Sequence, residues 1–185
     1  MMPFTFLRFI VLICVFSGIL CLPASAVKAQ APGNIKDYLA SKEIPKVILD
    51  YYNGKLKPSD ELNILAALDS LRTKNNELRP FYILVVTKMA EKSIPAWTET
   101  LGKGCKEFLE FKPDFLIEFL GADNPLVSPA YTDKWMKKIA EEIKRTNEGR
   151  EKDGATRSYQ NAWTRCRASN KATLTLLYKK IESYL

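Results

Sequence analysis

Residues 77–92 read Glu77-Leu78-Arg79-Pro80-Phe81-Tyr82-Ile83-Leu84-Val85-Val86-Thr87-Lys88-Met89-Ala90-Glu91-Lys92, and the fold class turns on how the apolar run at 81–86 is taken. Six apolar residues in a row suit a buried strand as well as a buried helix. Length decides between them. The apolar pattern continues past Val86 through Met89 and Ala90, with Thr87, Lys88, Glu91 and Lys92 supplying polar positions, and the whole is longer than most strands. Pro80 fits a first helical turn, where its missing N–H has no intrahelical acceptor to lose. The segment reads as a helix.

Working outward, the neighbouring segments read the same way. Pro45 stands where a helix begins, Val47, Ile48 and Tyr51 fall on one side of it, and Asn53-Gly54 supplies a left-handed stop. Ser59-Asp60-Glu61 caps a second helix, whose serine oxygen can accept from an orphan backbone N–H. Leu62, Leu65, Ala66, Leu68 and Leu71, widened by Ile64 and Ala67, make that helix look largely buried. Pro95 opens another, with Trp97, Leu101, Cys105, Phe108 and Leu109 as its stripe; Gly102 and Gly104 read as close helix-packing positions, and Pro113 ends it. A short segment at 115–120 stops at Gly121. A long amphipathic helix over 132–148 is expected to bury Trp135, Met136, Ile139, Ala140 and Ile143, and Gly149 closes it. The mixed-charge run at 150–156 reads as an exposed connection to two last helices, one carrying Tyr159, Ala162, Trp163 and Cys166, the other Leu174, Leu177, Tyr178, Ile181 and Leu185.

Helix starts fall mostly 15 to 19 residues apart, which brings sequence neighbours together through short turns. The expected fold is all-α: a single domain over 35–185 of about seven or eight short antiparallel helices, an irregular helical array or bundle. The spacing of helix pairs is similar to that of tetratricopeptide-type repeats, and Trp97-Thr98-Glu99-Thr100-Leu101-Gly102 is one residue away from their start pattern. No second copy of that start occurs, so no family membership follows.

The N-terminus reads as an address. Arg8 lies in a short n-region, an apolar stretch begins at Phe9 and resumes at 19–22, and Pro23 precedes the small triplet Ala24-Ser25-Ala26. The apolar part, roughly 14 residues, falls short of the ~20 needed to span a bilayer. Residues 1–26 are therefore expected to be a signal peptide cleaved after Ala26, with Ala29-Gln30-Ala31 as the second choice, and 27–34 a flexible leader. Bulky Leu20 argues against lipoprotein processing at Cys21. The expected location is periplasmic or secreted, with no transmembrane segment once the signal is removed.

Cys14 and Cys21 leave with the signal, whereas Cys105 and Cys166 enter an oxidising compartment and are expected to form the one possible disulfide. In the chain-entropy picture such a bridge stabilises by roughly 4 kcal/mol. The alternative is two buried free thiols. Charge is distributed unevenly. Residues 131–185 hold 13 basic against 7 acidic side chains, a net +6, while 27–130 hold 14 of each. Lys134, Lys137, Lys138, Lys144, Arg145, Arg150, Lys152 and Arg157 thus make a candidate surface for an anionic partner, with a solvated helical face, interleaved with Glu141, Glu142, Glu148, Glu151 and Asp153, as the plain reading.

The chain contains no histidine. That removes Ser-His-Asp and Cys-His catalysis, His-ligated zinc and the usual neutral-pH base. There is no Cys-x-x-Cys and no Gly-x-Ser-x-Gly, no Ser-x-x-Lys lies beyond residue 26, and Gly102-Lys103-Gly104 lacks the rest of a phosphate-binding loop. No cofactor or metal is expected. What remains is carboxylate chemistry, with Glu107 and Glu110 at i,i+3 and Glu118 or Asp123 in the following turn. Tyr51, Tyr52, Trp97, Trp135 and Trp163 lie on apolar stripes and read as core. The leading expectation is a non-enzymatic exported protein acting by protein–protein contact, as an inhibitor, immunity factor, chaperone or envelope-assembly component; a nucleic-acid partner is not expected. Two rivals are a cell-wall glycan hydrolase built on those carboxylates and a peripheral binder of anionic membrane through the helix at 132–152.

Overall fold

A computed structural model describes residues 34–56, 61–91, 98–121, 124, 126–128 and 130–185, and of 61–64 and 98 the backbone alone. The expected signal peptide, the expected leader to residue 33, the expected Ser59-Asp60 cap, Pro95, Trp97 and Asp123 lie outside the described residues. Nine α-helices follow in order among the described residues: α1 (Ile35–Ala40), α2 (Lys46–Tyr52), α3 (Glu61–Ser70), α4 (Arg79–Glu91), α5 (Thr98–Phe111), α6 (Pro113–Phe119), α7 (Ala130–Thr146), α8 (Glu151–Trp163) and α9 (Lys171–Glu182), with one 3₁₀ turn at Ala168–Asn170. No strand occurs among them.

The run at 81–86 is helical. Every residue from Phe81 to Val86 is buried, as are Thr87, Met89 and Ala90, so α4 is wrapped almost all round and its lack of amphipathic character follows. Helix α7 is the second organising element. Its Trp135, Met136, Ile139, Ala140 and Ile143 are all buried, and it packs on α4, α5, α8 and α9, most extensively on α5. That seam is close because residue 102 is glycine: a Cβ there would stand 3.2 Å from both Lys138 O and Glu142 Cβ. Contacts of α4 with α7, α5 with α8 and α6 with α9 cross the chain order. An open solenoid, where each repeat touches only its neighbours, lacks such contacts. The arrangement is a bundle.

Two boundaries differ from the sequence reading. Pro113 ends α5 but also opens α6 at its first position, a place where proline costs nothing. The run at 150–156 is helix rather than connection: Gly149 adopts φ +74°, the chain reverses, and α8 starts at Glu151. Glu151 and Asp153 stand in its first turn, where the positive end of the helix dipole favours acids, and the Glu151 carboxylate accepts from Gly149 N at 2.9 Å. Its own backbone N–H first, and then that of Gly149, hold the Glu151 carboxyl below its usual range. Gly154 and Ala155 are buried against the bundle. The charged residues around them had hidden a two-residue contact patch.

Candidate functional site

Helix α3 carries more apolar surface than its neighbours cover. Read as largely buried, it in fact leaves Leu65 43% exposed and Leu68 half-buried. The uncovered side faces α5. There Gly104 lets Leu68 rest against the α5 backbone, with Leu68 Cδ2 only 2.4 Å from where a Cβ would be. Above this contact the two helices diverge into an open groove of about 870 Å³. Its floor is Leu65, Leu68, Leu71, Phe108 and Phe111, and its rim holds Asp69, Arg72, Glu99, Lys103, Glu107 and Lys112. Phe111 is 55% exposed, an unusual state for a large apolar side chain beside other apolar groups.

The rim acids are already satisfied within the chain. Arg72 lies 3.3 Å from Glu107 and 3.7 Å from Asp69, and Arg145 reaches Glu99 at 2.9 Å. Lys103 and Lys112 are exposed and form no ion pair among the described residues. The Arg165 guanidinium lies over the Phe111 ring at 4.8 Å. The groove therefore offers an apolar floor with cations at its edge.

The carboxylates singled out in the sequence do not converge. Glu107 faces the groove and pairs with Arg72. Glu110 is buried, 2.8 Å from Lys106 and within reach of Asn161. Glu118 is ion-paired with Arg167 on the far side of α6. Each has its own cation, and no pair of them flanks a common cleft, so the geometry for glycoside cleavage is missing among the described residues.

The candidate anionic-partner surface is split by the fold. Lys138 is 6% exposed and sits in the α5–α7 seam with its ammonium on Glu141 at 2.8 Å; Glu142, beside it, is equally buried and holds Arg145 in two hydrogen bonds of 2.9 Å. Neither is a solvated face nor a docking residue, because Gly102 draws that side of α7 against α5. Lys134 pairs with Glu91 at 2.5 Å and Arg157 donates to Asn147 at 2.5 Å. Lys137, Lys144, Arg150 and Lys152 remain exposed. The apolar face of α7 is spent in the core, which leaves nothing for insertion at a membrane surface. No helix among the described residues is long and apolar enough to cross a membrane.

Cys105 and Cys166 are free thiols, a correction to the expected bridge. Cys105 lies in mid-α5 beneath Lys138, and burial pushes its thiol far up. Cys166 lies beyond the end of α8, where its Sγ is 3.6 Å from Asp114 Oδ1. Asp114 also accepts from Arg167 N at 3.1 Å and Asn170 Nδ2 at 2.8 Å, so the turn into α9 is fastened by a carboxylate instead of a disulfide. Helical spacing put both cysteines on inward stripes; the end of α8 at Trp163 turned the second one elsewhere. Burial, then the Asp114 charge and its hydrogen bond, push the Cys166 thiol up to about 11. Since the thiolate is the reactive form, at pH 8 only roughly one thiol in a thousand is ionised, against roughly one in four for an ordinary cysteine. Iodoacetamide should thus label native Cys166 about two orders of magnitude more slowly than a free cysteine, with the rate rising tenfold per pH unit toward 11. Asp114→Asn should speed it. Labelling at the rate of an exposed thiol would refute this environment.

Phe111 and Lys112 escaped the sequence reading, and Lys103 and Arg165 were read there without reference to this groove. A signal existed for Phe111: it is the large apolar residue left over once Leu101, Cys105, Phe108 and Leu109 fill the inward stripe. Comparison with protein-family models, with curated proteins and with solved structures returns no match.

Proposed function

We propose that this chain is an exported, non-enzymatic helical protein that acts by protein–protein contact, of inhibitor, immunity, chaperone or envelope-assembly type, and that the contact is made in the α3–α5 groove. The observation that carries the reading is Phe111, more than half exposed at one end of an apolar trough whose other end holds the exposed Leu65. Desolvated aromatic side chains on such floors dominate binding energies at protein interfaces. Lack of histidine in the whole sequence supports the non-enzymatic part, and the apolar leader with its small-residue triplet supports export.

A photo-crosslinking side chain at position 111 or 65, exposed to an envelope fraction, is expected to give one discrete adduct. The same probe at Leu176, an isolated exposed leucine on α9, is expected to give none. Phe111→Asp should abolish the position-65 adduct while leaving the helical circular-dichroism signal unchanged, because the ring contributes little to the core. Equal adducts at all three positions, or turnover of a defined substrate that survives Phe111→Asp, would remove this reading.

A further inference from the structure

We propose that the groove takes an amphipathic α-helix of a partner protein whose apolar stripe is accompanied by acidic residues that meet Lys103 and Lys112. This rests on the contact reading above and specifies the partner's chemistry.

Shape comes first. The groove-facing residues of α5 run from Glu99 to Phe111, rather more than three turns or about 18 Å. On α3 the facing residues Leu65, Leu68 and Asp69 follow the i, i+3, i+4 ridge of a helix, which Leu71 and Arg72 extend from the turn that follows. Two such ridges with an apolar trough between them match the apolar stripe of a third helix. An extended peptide fits worse. Its backbone N–H and C=O groups would meet leucine and phenylalanine with no hydrogen-bond partners, since neither α3 nor α5 presents a free ladder edge, whereas a helix satisfies its own backbone.

Charge then selects among helices. Asp69 and Glu107 share Arg72, and Glu99 shares Arg145 with Glu142, so an incoming base would compete with a guanidinium already in place at each of these acids. Lys103 and Lys112 have no ion pair among the described residues, and Arg165 stands over Phe111 at the Lys112 end. Nine positions separate the two lysines, about 13 Å along the α5 axis. Lys103 lies within α5, and Lys112 lies just past its end, at φ −138° as the residue before α6, so the two cations are spaced along the groove and not clustered. A helix with acids placed the same way meets both cations, and a basic one meets like charge at both.

The test selects 16-residue helices from a displayed library. Apolar positions are fixed at helical spacing, and flanking positions are randomised among Glu, Gln and Lys. Purified protein is the bait, and Phe111→Asp is the counter-selection. Helices retained should be enriched in Glu at the flanks, should weaken as salt is raised, and should bind the Lys103→Glu/Lys112→Glu bait about tenfold less tightly, with the preference turned toward Lys. Retained helices without charge preference, or a preference unmoved by the double reversal, overturn the acidic-helix assignment while a crosslink at position 111 would still stand. If no helix survives the counter-selection, the helical assignment itself is wrong. Absence of that crosslink is the separate result that ends the contact reading.

Discussion

Trp135→Ala is expected to cost about 4 kcal/mol of unfolding free energy and to lower the thermal midpoint by roughly 8 to 16 °C, the largest loss from any single truncation in this bundle. Trp135 is fully buried at the seam of α7 with α4 and α5, its ring 6.1 Å from that of Phe108. Removing it opens a cavity that three helices would have to collapse together to fill. The indole also has a polar duty. Its N–H donates to Thr87 Oγ1 at 2.7 Å, and the Thr87 hydroxyl donates in turn to Ile83 O at 2.7 Å, so the ring of α7 is tied to the backbone of α4 through one side chain. Thr87→Val keeps the shape and strands the indole N–H, at a cost of about 1 to 3 kcal/mol. Trp135→Phe removes the donor and part of the bulk. In the double variant the threonine change should become much cheaper, because no unpaired donor is left to penalise. Urea titrations of the four proteins measure this coupling. Additive losses would show that the hydrogen bond is incidental, and a Trp135→Ala cost under 1 kcal/mol would show that this seam is not the core.

That seam explains which parts of the fold were legible in the sequence. Periodicity assigns α7 and its five core residues because that helix has one wet side and one dry side, and length assigns α4 because a run continuing through Met89 and Ala90 outlasts a strand. Both inferences use information local to the segment. The start of α8 was missed because six charged or polar residues surround Gly154 and Ala155, and a contact that small leaves no periodic trace. Cys105 and Cys166 were misjudged for a related reason. A stripe gives the direction of a side chain only while the helix lasts, and α8 stops three residues short of Cys166. The groove was invisible for a different cause. The excess width of the apolar face of α3 is written in the sequence, but whether a neighbour covers it depends on where α5 sits, which Gly104 and Leu68 decide across 36 residues of chain. Lys138 shows the converse: a charge that looks solvated becomes buried because Gly102, on another helix, admits it.

Arg79→Met is expected to destabilise by about 3 kcal/mol, although methionine preserves much of the apolar stem. Arg79 is buried at the start of α4 and forms no ion pair with a carboxylate among the described residues. Its cation is met by oxygen dipoles and a ring. Nε donates to Leu71 O at 3.3 Å, the two terminal nitrogens donate to Asn76 Oδ1 and Thr73 O, and the guanidinium lies 4.1 Å from the centre of Phe115. Burial pulls its pKa below the usual guanidinium value, yet it stays charged at neutral pH. Methionine can donate to none of the three oxygens, and the buried Leu71 carbonyl and half-buried Thr73 carbonyl carry the cost, while the exposed Asn76 can turn to water. Arg79→Lys should recover less than half. A single ammonium cannot span three acceptors held in a fork by a planar group, and it stacks poorly on the phenylalanine. Chemical denaturation of both variants gives the ranking; equal stability of lysine and arginine proteins would mean that charge alone matters here. The consequence reaches the groove. Leu71 and Thr73 form the exit of α3, and Arg79 fixes that exit to α4, so the variant should also loosen the end of the groove that Leu71 and Arg72 line, the end nearer Phe111. Crosslinking from position 111 should therefore fall in Arg79→Met at temperatures where the protein is still folded. It should persist in Thr87→Val, which weakens the bundle by a comparable amount on the α4–α7 seam and leaves the α3 exit fastened.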